Sequence, residues 1–536
     1  MPLPFEKAFL IVLDGFGLAE RGPGNAITEA GVPYLESLLA RYPAVSLAAA
    51  GLVVGLPWGQ PGNSEVGHSA IGTGRIVIQD LAHINTEIRS GAFFKNAELI
   101  GGIDHAVKKG TALHLIGCTS PGGIHAHTDH LIALMEMAHR RGARKIYVHF
   151  IADGQDAAPQ DAINVLHSLE PYLKKFGAVV ASVQGRSFAM DRVLNWRLTE
   201  RVWHAVVVGD ARPISDVGTY LQESYEQGKT DYAIEPATVM TKEGVPVGLV
   251  QDNDSVIFFD FRNDRVRQLA SPFIFAPTFD SFDPVRRPAG LRVTTMTKYA
   301  EEFSVPVAYP AIPLPNTAGE IMSKAGFRQY RIAEKEKEAH VTNFFNGGRI
   351  EPFSGEERVI VTSRQMTGEE YLAHPEMSAE KIVDVVMEHL DADARLFVIN
   401  FANPDMIAHA GNLQATMEAM RVVDRCLERL IEAIRGRSDS VVVITADHGN
   451  AEELVDPLTG GEDTQHSTRN VPTIFIAPEL DGQGGKTLEG LALEAPVGTL
   501  VDIAPTVLYL LGIEKPPEMT GSRLITISSG AAARKI

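Results

Sequence analysis

The chain has 536 residues, of which 45% are apolar and 22% are charged, as in globular proteins rather than disordered or collagen-like chains. Its length predicts roughly two to four domains. The 49 basic and 67 acidic side chains give a formal net charge of −18, which argues against nonspecific binding to nucleic acid or to an anionic membrane.

The cysteine count and the N-terminal residues bear on where the protein works. Only Cys118 and Cys426 occur, which is too few for a disulfide framework. The apolar run at residues 8–13 is shorter than the core of a secretory signal, and no stretch approaches the roughly 18 apolar residues that span a bilayer. We therefore expect a cytoplasmic protein without a membrane or nucleic-acid partner.

Short apolar runs that end in polar, glycine-containing turns recur along the chain. Such uninterrupted runs are typical of strands buried on both faces, as in a parallel sheet covered by helices. In chain order, the predicted strands are residues 8–13, 113–117, 145–151, 396–399 and 441–444. The predicted helices are residues 128–140, 379–390 and 415–435. Strands alternating with helices predict an α/β fold.

Three of these strand ends carry aspartates, one near residue 14 and two beyond residue 400. Because ligands collect at the carboxyl ends of strands in such sheets, the three ends are expected to share one site. The middle of the chain is then an insertion. We predict a discontinuous domain of residues 1–78 and 315–536 and an inserted α/β domain of residues 79–314, with joints at residues 72–75 and 309–315.

Six side chains at or beyond these strand ends are candidate metal ligands: Asp14, Asp405, His409, Asp447, His448 and His466. The spacing of Asp405 and His409 places them on one face if that segment is helical. Carboxylates mixed with imidazoles favour Mn²⁺ or Zn²⁺ over Ca²⁺. A single Asp–His pair would more often be structural, but six potential ligands favour a site with two metal ions.

The segment GQPGNSEVGH at residues 59–68 places Ser64 at a predicted helix start, behind glycines that let a ligand approach the backbone. A serine hydroxyl becomes a nucleophile when metal coordination deprotonates it. Most Gly-Asn-Ser segments are simple helix caps, so the motif by itself does not decide the role. Beside a two-metal site, Ser64 is a candidate for phosphoryl transfer.

Arginines cluster in the predicted insertion despite the acidic total. Residues 185–192 and 258–267 include Arg186, Arg192, Arg262 and Arg265. Each guanidinium can bind phosphate or carboxylate through two hydrogen bonds. Either cluster alone is more simply explained by pairing with neighbouring aspartates, so the arginines become candidates for substrate binding only in combination with the metal site.

Two loops of the insertion offer further polar groups. His125 follows two glycines and is suited to hydrogen-bond a polyol, and Asp156 lies just after a predicted strand and could act as a base. His127, Asp129 and His130 lead into an amphipathic helix, and we predict a structural role for them.

Together these motifs resemble the cofactor-independent (2,3-bisphosphoglycerate-independent) phosphoglycerate mutases of the alkaline-phosphatase superfamily. The similarity covers residues 8–525. Its most specific motifs are VLDGFG at 12–17, GNSEVGH at 62–68, EKEK at 334–337 before HVT at 340–342, NFANPDM at 400–406 and TADHGN at 445–450. The resemblance implies an alkaline-phosphatase-like domain with a central, mostly parallel sheet, interrupted by an inserted transferase-like α/β domain.

The resemblance also implies a glycolytic isomerase that interconverts 3- and 2-phosphoglycerate through a phosphoserine at Ser64, with two Mn²⁺ ions and without 2,3-bisphosphoglycerate. One Mn²⁺ would be held by Asp405, His409 and His466, and the other by Asp14, Ser64, Asp447 and His448. The matching substrate positions are His125, Asp156, Arg186, Arg192, Arg262, Arg265 and Lys337, with Asp156 as the proton-transfer group. We expect a monomer whose partner is the small-molecule substrate.

The chain departs from the family pattern within the insertion. Gln155 replaces an arginine, Pro121 replaces an acidic residue, and Val193 and Asn195 replace charged residues. The change at position 155 removes a cation that would contact the glycerate. A metal-dependent phosphatase, or a phosphomutase for another small phosphomonoester, is therefore the alternative function. A third hypothesis, a binding protein without catalysis, is disfavoured by the complete ligand set.

Overall fold

The computed structural model of the protein describes residues 5–275, 278–311, 314–363, 368–456 and 460–527. The chain divides into two compact units, one of Met1–Gln79 with Pro313–Ile536 and the other of Asp80–Ile312. The first predicted joint, at residues 72–75, lies before this boundary. Its first two residues, Gly72 and Thr73, are the end of a helix. Residues 312–313 of the second joint lie outside the described residues.

Strands and helices alternate along most of the chain, which confirms the α/β prediction. The strands are β1 Lys7–Leu13, β2 Ala44–Ala48, β3 Leu113–Cys118, β4 Ile146–Ala152, β5 Ala178–Gly185, β6 Arg212–Ile214, β7 Ala237–Val239, β8 Ser255–Phe258, β9 Arg292–Thr295, β10 Gln329–Glu334, β11 Glu356–Val361, β12 Leu396–Phe401, β13 Ser440–Thr445, β14 Val471–Ile476 and β15 Gly498–Thr499.

The α-helices are α1 Ala26–Ala30, α2 Pro33–Arg41, α3 Ser64–Thr73, α4 Asp80–Ser90, α5 Ala97–Lys109, α6 Thr128–Arg140, α7 Ala162–Phe176, α8 Arg186–Ala189, α9 Trp196–Trp203, α10 Val217–Glu226, α11 Asn263–Ile274, α12 Ala318–Lys324, α13 Gly368–Ala373, α14 Ala379–His389, α15 Asn403–Ala408, α16 Leu413–Ile434, α17 Leu488–Leu493 and α18 Ile503–Leu510. Among the described residues, no helix has the length and apolar character needed to cross a bilayer.

The first unit is built on an eight-stranded sheet in the order β11-β10-β12-β1-β13-β14-β2-β15. From β11 to β13 all neighbours are parallel. β14 differs, because it runs antiparallel to both β13 and β2. Every residue of β12 and β13 is buried, which is the physical reason for their uninterrupted apolar sequences.

The second unit has its own seven-stranded sheet in the order β6-β7-β5-β4-β3-β8-β9. Its neighbours are parallel except for the antiparallel pair of β5 and β7. The strands predicted at residues 113–117 and 145–151 are β3 and β4, and the helix predicted at residues 128–140 is α6. A mostly parallel α/β architecture is therefore confirmed in both units.

Strand β1 lies between β12 and β13, so the first strand of the chain is flanked by two strands from its C-terminal part. The register places the C-terminal end of β1 level with the ends of β12 and β13. Since neighbouring strands are about 4.8 Å apart, the loops that follow them begin side by side. These loops carry Asp14, Asp405 and Asp447, as the sequence predicts.

Helix α3 presents Ser64 at its first residue. The side-chain oxygen of Asn63 accepts a hydrogen bond from the N–H of Val66 at 3.0 Å and thereby caps the helix, so the serine hydroxyl is not needed for capping. One turn later, Gly67 packs against a second loop of the site. A Cβ at Gly67 would lie 2.4 Å from the carbonyl oxygen of Asp447, so only glycine allows this approach.

We expect Gly67→Ala to destabilise the protein by about 1–3 kcal/mol, because overpacking outweighs the better helix propensity of alanine. The matched control is Gly218→Ala in α10, where the nearest atoms would lie 3.5 and 3.8 Å from the new Cβ. That change should be neutral or stabilise by up to about 1 kcal/mol. Urea unfolding followed by circular dichroism measures both, and equal stability of the two variants would contradict the close-packing argument.

Candidate active site

The three aspartates at the strand ends meet around one imidazole. Asp14 and Asp447 are completely buried, and Asp405 is 3% exposed. Nε2 of His448 lies 3.4 Å from Oδ1 of Asp14, 3.5 Å from Oδ2 of Asp447 and 3.9 Å from Oδ1 of Asp405. The loops after β1, β12 and β13 therefore form a single cluster.

Two more histidines complete this cluster at Asp405. Nε2 of His409 and Nε2 of His466 lie 3.3 and 3.2 Å from Oδ1 of Asp405 and 3.0 Å from each other. Nδ1 of His409 faces the carbonyl oxygen of Thr464, and Nδ1 of His466 faces that of Gly62, both at 2.9 Å. A carbonyl partner assigns the proton to Nδ1, which leaves Nε2 as the ligand atom. Two such nitrogens at 3.0 Å repel unless a proton or a cation lies between them.

The donor atoms suit divalent cations. Two groups have ligand atoms that all lie within 4.8 Å of one another: Asp405, His448 and His466 in one, and Asp14, Asp447 and His448 in the other. His409 joins the first group through Asp405 and His466. Carboxylate oxygens mixed with imidazole nitrogens are the ligands of Mn²⁺ and Zn²⁺ sites rather than of Ca²⁺ sites. The residues present therefore fit a metal centre, and the structure brings all six predicted protein ligands together.

The hydroxyl of Ser64 lies inside the same cluster. Its Oγ is 3.0 Å from Oδ1 of Asp14, 3.0 Å from Nε2 of His448 and 2.9 Å from Nζ of Lys337. Because Ser64 starts helix α3, it also lies near backbone N–H groups that have no partner within the helix. A serine surrounded in this way is suited to attack a phosphoryl group.

Lys337 is a substrate residue by resemblance, but the structure places it among the candidate metal ligands. Its Nζ donates hydrogen bonds to Oδ1 of Asp14 at 2.6 Å and to Oδ2 of Asp405 at 2.7 Å. Burial alone would raise the pKa of Asp14, yet Lys337 and His448 hold that pKa well below its usual range. Burial lowers the pKa of Lys337, but the surrounding aspartates raise it above its ordinary value. The ammonium group therefore stays charged.

His448 is a second source of positive charge in the cluster. Burial by itself lowers its pKa, but Asp447, Asp14 and Asp405 together raise the pKa to about 10. The pKa of His466 is lowered, first by burial and then by the charge on His448. In the protein without a metal ion, Lys337 and a protonated His448 thus offset two of the three carboxylate charges.

Three residues that the sequence analysis did not select hold the ligands in place. The side-chain amide of Asn400 donates to Oδ2 of Asp14 at 2.8 Å and lies 3.1 Å from Nε2 of His68. The side-chain amide of Asn450 donates to Oδ1 of Asp405 at 2.9 Å. All three lie in motifs that the sequence showed, and for Asn400 the available signal was a polar residue near the end of an apolar strand.

In the second unit, Arg186 is the centre of a buried cluster. Its Nη1 lies 2.6 Å from Oδ1 of Asp153 and also contacts Oδ2 of Asp156, and its Nη2 lies 3.0 Å from Nε2 of His125. Asp153, which the sequence analysis did not select, also accepts the N–H of Asp156 at 3.1 Å. Burial, followed by the charge of Arg186, lowers the pKa of His125 to about 4, so its imidazole is neutral at pH 7.

Two predicted arginines of the second unit share the carboxylate of Asp264. Nη1 of Arg192 lies 3.3 Å from Oδ2, and Nε of Arg262 lies 3.4 Å from Oδ1. The pKa of Arg265 is lowered by burial and by the charges of Arg186 and Arg192, which shows that the guanidinium groups are crowded together. Such a surplus of positive charge in an acidic protein favours binding of an anion.

Comparison with known proteins identifies the family. A model described as BPG-independent PGAM N-terminus matches residues 84–301, and the Sulfatase model matches residues 352–513. The 2,3-bisphosphoglycerate-independent phosphoglycerate mutase of Moorella thermoacetica is 44% identical over 520 residues, which cover 96% of this chain and 98% of that protein. The chain belongs to this mutase family.

Further relatives agree. The mutase of Clostridium botulinum (strain Langeland) is 42% identical over 97% of this chain and 99% of that protein. A crystal structure of Leishmania mexicana phosphoglycerate mutase at low cobalt concentration has a TM-score of 0.74 and 29% identity, and the match covers 98% of this chain and 99% of that one. As a phosphoglycerate mutase, the enzyme is an isomerase, and the predicted family, fold class and enzyme class are confirmed. The mutase function is favoured over the phosphatase alternative.

The four departures from the family pattern lie on the surface of the second unit. The side chains of Gln155, Pro121 and Asn195 are exposed, and that of Val193 is 77% exposed. Backbone N–H groups hold two of these positions: that of Gln155 donates to Asp153, and that of Asn195 donates to Asp191. At positions 155 and 195 the substitution therefore changes side-chain chemistry on a backbone that is held by a hydrogen bond.

We expect binding of Mn²⁺ to the metal-free mutase to release protons. Because the pKa of His448 is about 10 without metal, this imidazole is protonated at pH 7 and must lose the proton before Nε2 can bind an ion. The affinity should therefore rise as the pH increases from about 6 to about 9. Calorimetric titrations in buffers of different ionisation enthalpy measure the released protons, and a flat affinity without proton release would contradict the assignment of His448.

Proposed function

We propose that this mutase interconverts 3-phosphoglycerate and 2-phosphoglycerate by transferring the phosphoryl group to Ser64 and back to the other hydroxyl of the glycerate. The observation that carries the proposal is the position of the Ser64 hydroxyl, 3.0 Å from both Asp14 and His448 at the start of a helix. The names of the relatives, which are 2,3-bisphosphoglycerate-independent phosphoglycerate mutases, support the substrate and the independence from 2,3-bisphosphoglycerate.

The proposed metal centre contains two Mn²⁺ ions. The expected ligands of one ion are Asp405, His409 and His466, and those of the other are Asp14, Ser64, Asp447 and His448. Two divalent ions, when bound, would supply a lowered pKa for the serine hydroxyl and charge neutralisation for the transferring phosphoryl group. Lys337, whose ammonium lies 2.9 Å from Oγ of Ser64, is suited to hold a phosphoryl oxygen.

In the first half of the proposed reaction, Oγ of Ser64 forms a bond to phosphorus as the bond between phosphorus and O3 of the substrate breaks. In the second half, O2 of the glycerate attacks the phosphoserine and Ser64 leaves. Asp156 is proposed to exchange protons with the two glycerate hydroxyls. The other proposed substrate residues of the second unit are His125, Arg186, Arg192, Arg262 and Arg265, which would bind the glycerate and its anionic groups.

Other parts of the proposal follow from the sequence and the family. Residues 1–78 with 315–536 are proposed to form the phosphatase-like, metal-binding domain, and residues 79–314 the transferase-like, substrate-binding domain. We propose that the enzyme acts in the cytoplasm as a monomer. Both cysteines, Cys118 and Cys426, are free and buried, which is consistent with a reducing compartment.

Ser64→Ala should lower kcat for formation of 2-phosphoglycerate by at least about a thousandfold, because it removes the nucleophile. The measurement is a coupled assay with Mn²⁺ and without 2,3-bisphosphoglycerate. Ser69→Ala, in the same helix, is the matched control and should keep native activity. Release of free phosphate at the rate of substrate loss, with no 2-phosphoglycerate formed, would exclude the mutase and favour the phosphatase alternative.

Gln155→Arg should lower KM for 3-phosphoglycerate about two- to fivefold, which is the contribution of an exposed ion pair, with little change in kcat. The side chain at this position is exposed, so the larger arginine fits without repacking. The control is Gln160→Arg, a second exposed glutamine of the same unit, which should leave KM unchanged. Equal effects of both substitutions on KM would indicate a general effect of added charge instead of a specific contact.

A further inference from the structure

The carboxylate of Glu452 lies at the meeting point of three loops. The side chain is buried, at 3% exposure. Its Oε2 accepts the backbone N–H groups of Gly17 and Asn450, both at 2.9 Å, and its Oε1 accepts the hydroxyl of Ser467. One carboxylate thus receives three hydrogen bonds from three separate segments of the first unit.

Each of these segments carries a candidate metal ligand. Gly17 belongs to the loop of Asp14, Asn450 to the loop of Asp447 and His448, and Ser467 directly follows His466. Direct backbone hydrogen bonds join the same loops: the N–H of Ala451 donates to the carbonyl oxygen of Gly15, and the N–H of Ser467 donates to that of Gly449, both at 3.0 Å. Glu452 is therefore surrounded by the backbone that positions the ligands.

The packing around the carboxylate leaves no space for side chains. A Cβ at Gly17 would lie 2.3 Å from Cδ of Glu452, and a Cβ at Gly449 would lie 2.2 Å from its Oε1. The two glycines thus let two of the loops close directly onto the carboxylate. Any movement of Glu452 would be transmitted to both loops.

Among the described residues, the partners of Glu452 are hydrogen-bond donors, and no ion pair joins it to a cationic side chain. A buried carboxylate without a cation is costly, and three donors offset that cost only when all three are in place. The arrangement therefore favours one relative position of the three loops over others. This is the property expected of a group that holds metal ligands in place for an ion.

We propose that Glu452 is a positioning residue, which fixes the loops of Asp14, His448 and His466 relative to one another through its hydrogen-bond geometry and not through its charge. This inference rests on the proposed metal centre. It adds a residue that is neither a candidate metal ligand nor a proposed substrate residue and that acts only through the ligands.

A glutamine at position 452 distinguishes the effect of hydrogen-bond geometry from the effect of the negative charge. Its amide oxygen can accept the N–H groups of Gly17 and Asn450, and its amide NH₂ can donate to the hydroxyl oxygen of Ser467. Glu452→Gln can therefore keep the contacts to all three segments, with the hydrogen bond to Ser467 reversed in direction, while it removes the charge. Glu452→Ala loses all three hydrogen bonds. Ser467→Ala loses one of them and is the milder variant, should the alanine at position 452 prevent folding.

The experiment is a titration of metal-free, full-length protein with Mn²⁺ alone, together with the thermal unfolding temperature of each variant. We expect Glu452→Ala to weaken Mn²⁺ binding by about 10- to 100-fold and Ser467→Ala by a smaller factor. Glu452→Gln should stay within about threefold of the native affinity. The matched control is Glu453→Ala, which removes only a surface ion pair with Arg469 and should bind Mn²⁺ as the native protein does.

The outcomes separate this inference from the proposed function. If the native protein binds Mn²⁺ and a folded Glu452→Ala variant, or Ser467→Ala in its place, binds it equally well, the positioning role is wrong and the metal centre stands. If Glu452→Gln weakens binding as much as Glu452→Ala, the charge of Glu452 is what matters and the geometric role is wrong. If the native protein itself does not bind Mn²⁺, the proposed metal centre fails first.

Discussion

The candidate active site depends on the electrostatic cost of gathering three buried carboxylates at adjacent strand ends. Asp14, Asp405 and Asp447 lose their hydration and repel one another, so the cluster is stable only with positive charge among them. Lys337 and a protonated His448 supply that charge in the protein itself. A divalent ion supplies more charge in a smaller volume, which is the physical reason that this cluster favours metal binding.

The sheet of the first unit makes this gathering possible. β1 comes from the N-terminal part of the chain, whereas β12 and β13 come from its C-terminal part, and parallel pairing aligns their carboxyl ends at one edge. The second unit lies within the connection between these parts of the chain. Such an insertion lowers the stability of the first sheet only slightly, because the entropic cost of closing a loop grows slowly with the length of the loop.

How much of the fold could be predicted depended on the length and apolarity of each strand. β3, β4, β12 and β13 are completely or almost completely buried, and their apolar runs identified them in the sequence. β6 has three residues and β15 has two, which is too short for a periodic pattern to be recognised. β14 is antiparallel to its neighbours β13 and β2. This direction is defined relative to those neighbours and cannot be recognised from the residues of β14 themselves.

For the site, the sequence by itself determined which side chains are able to act: the aspartates and histidines at strand ends, the serine at a helix start, and the arginines of the insertion. Only the tertiary structure decided their partners. It showed that Lys337 and Asn400 donate hydrogen bonds to Asp14. It also showed that Glu452 accepts the backbone N–H of Gly17, in the loop that carries Asp14. The physical reason is that a hydrogen bond depends on distances of about 3 Å between segments far apart in the chain, and no local pattern of residues contains those distances.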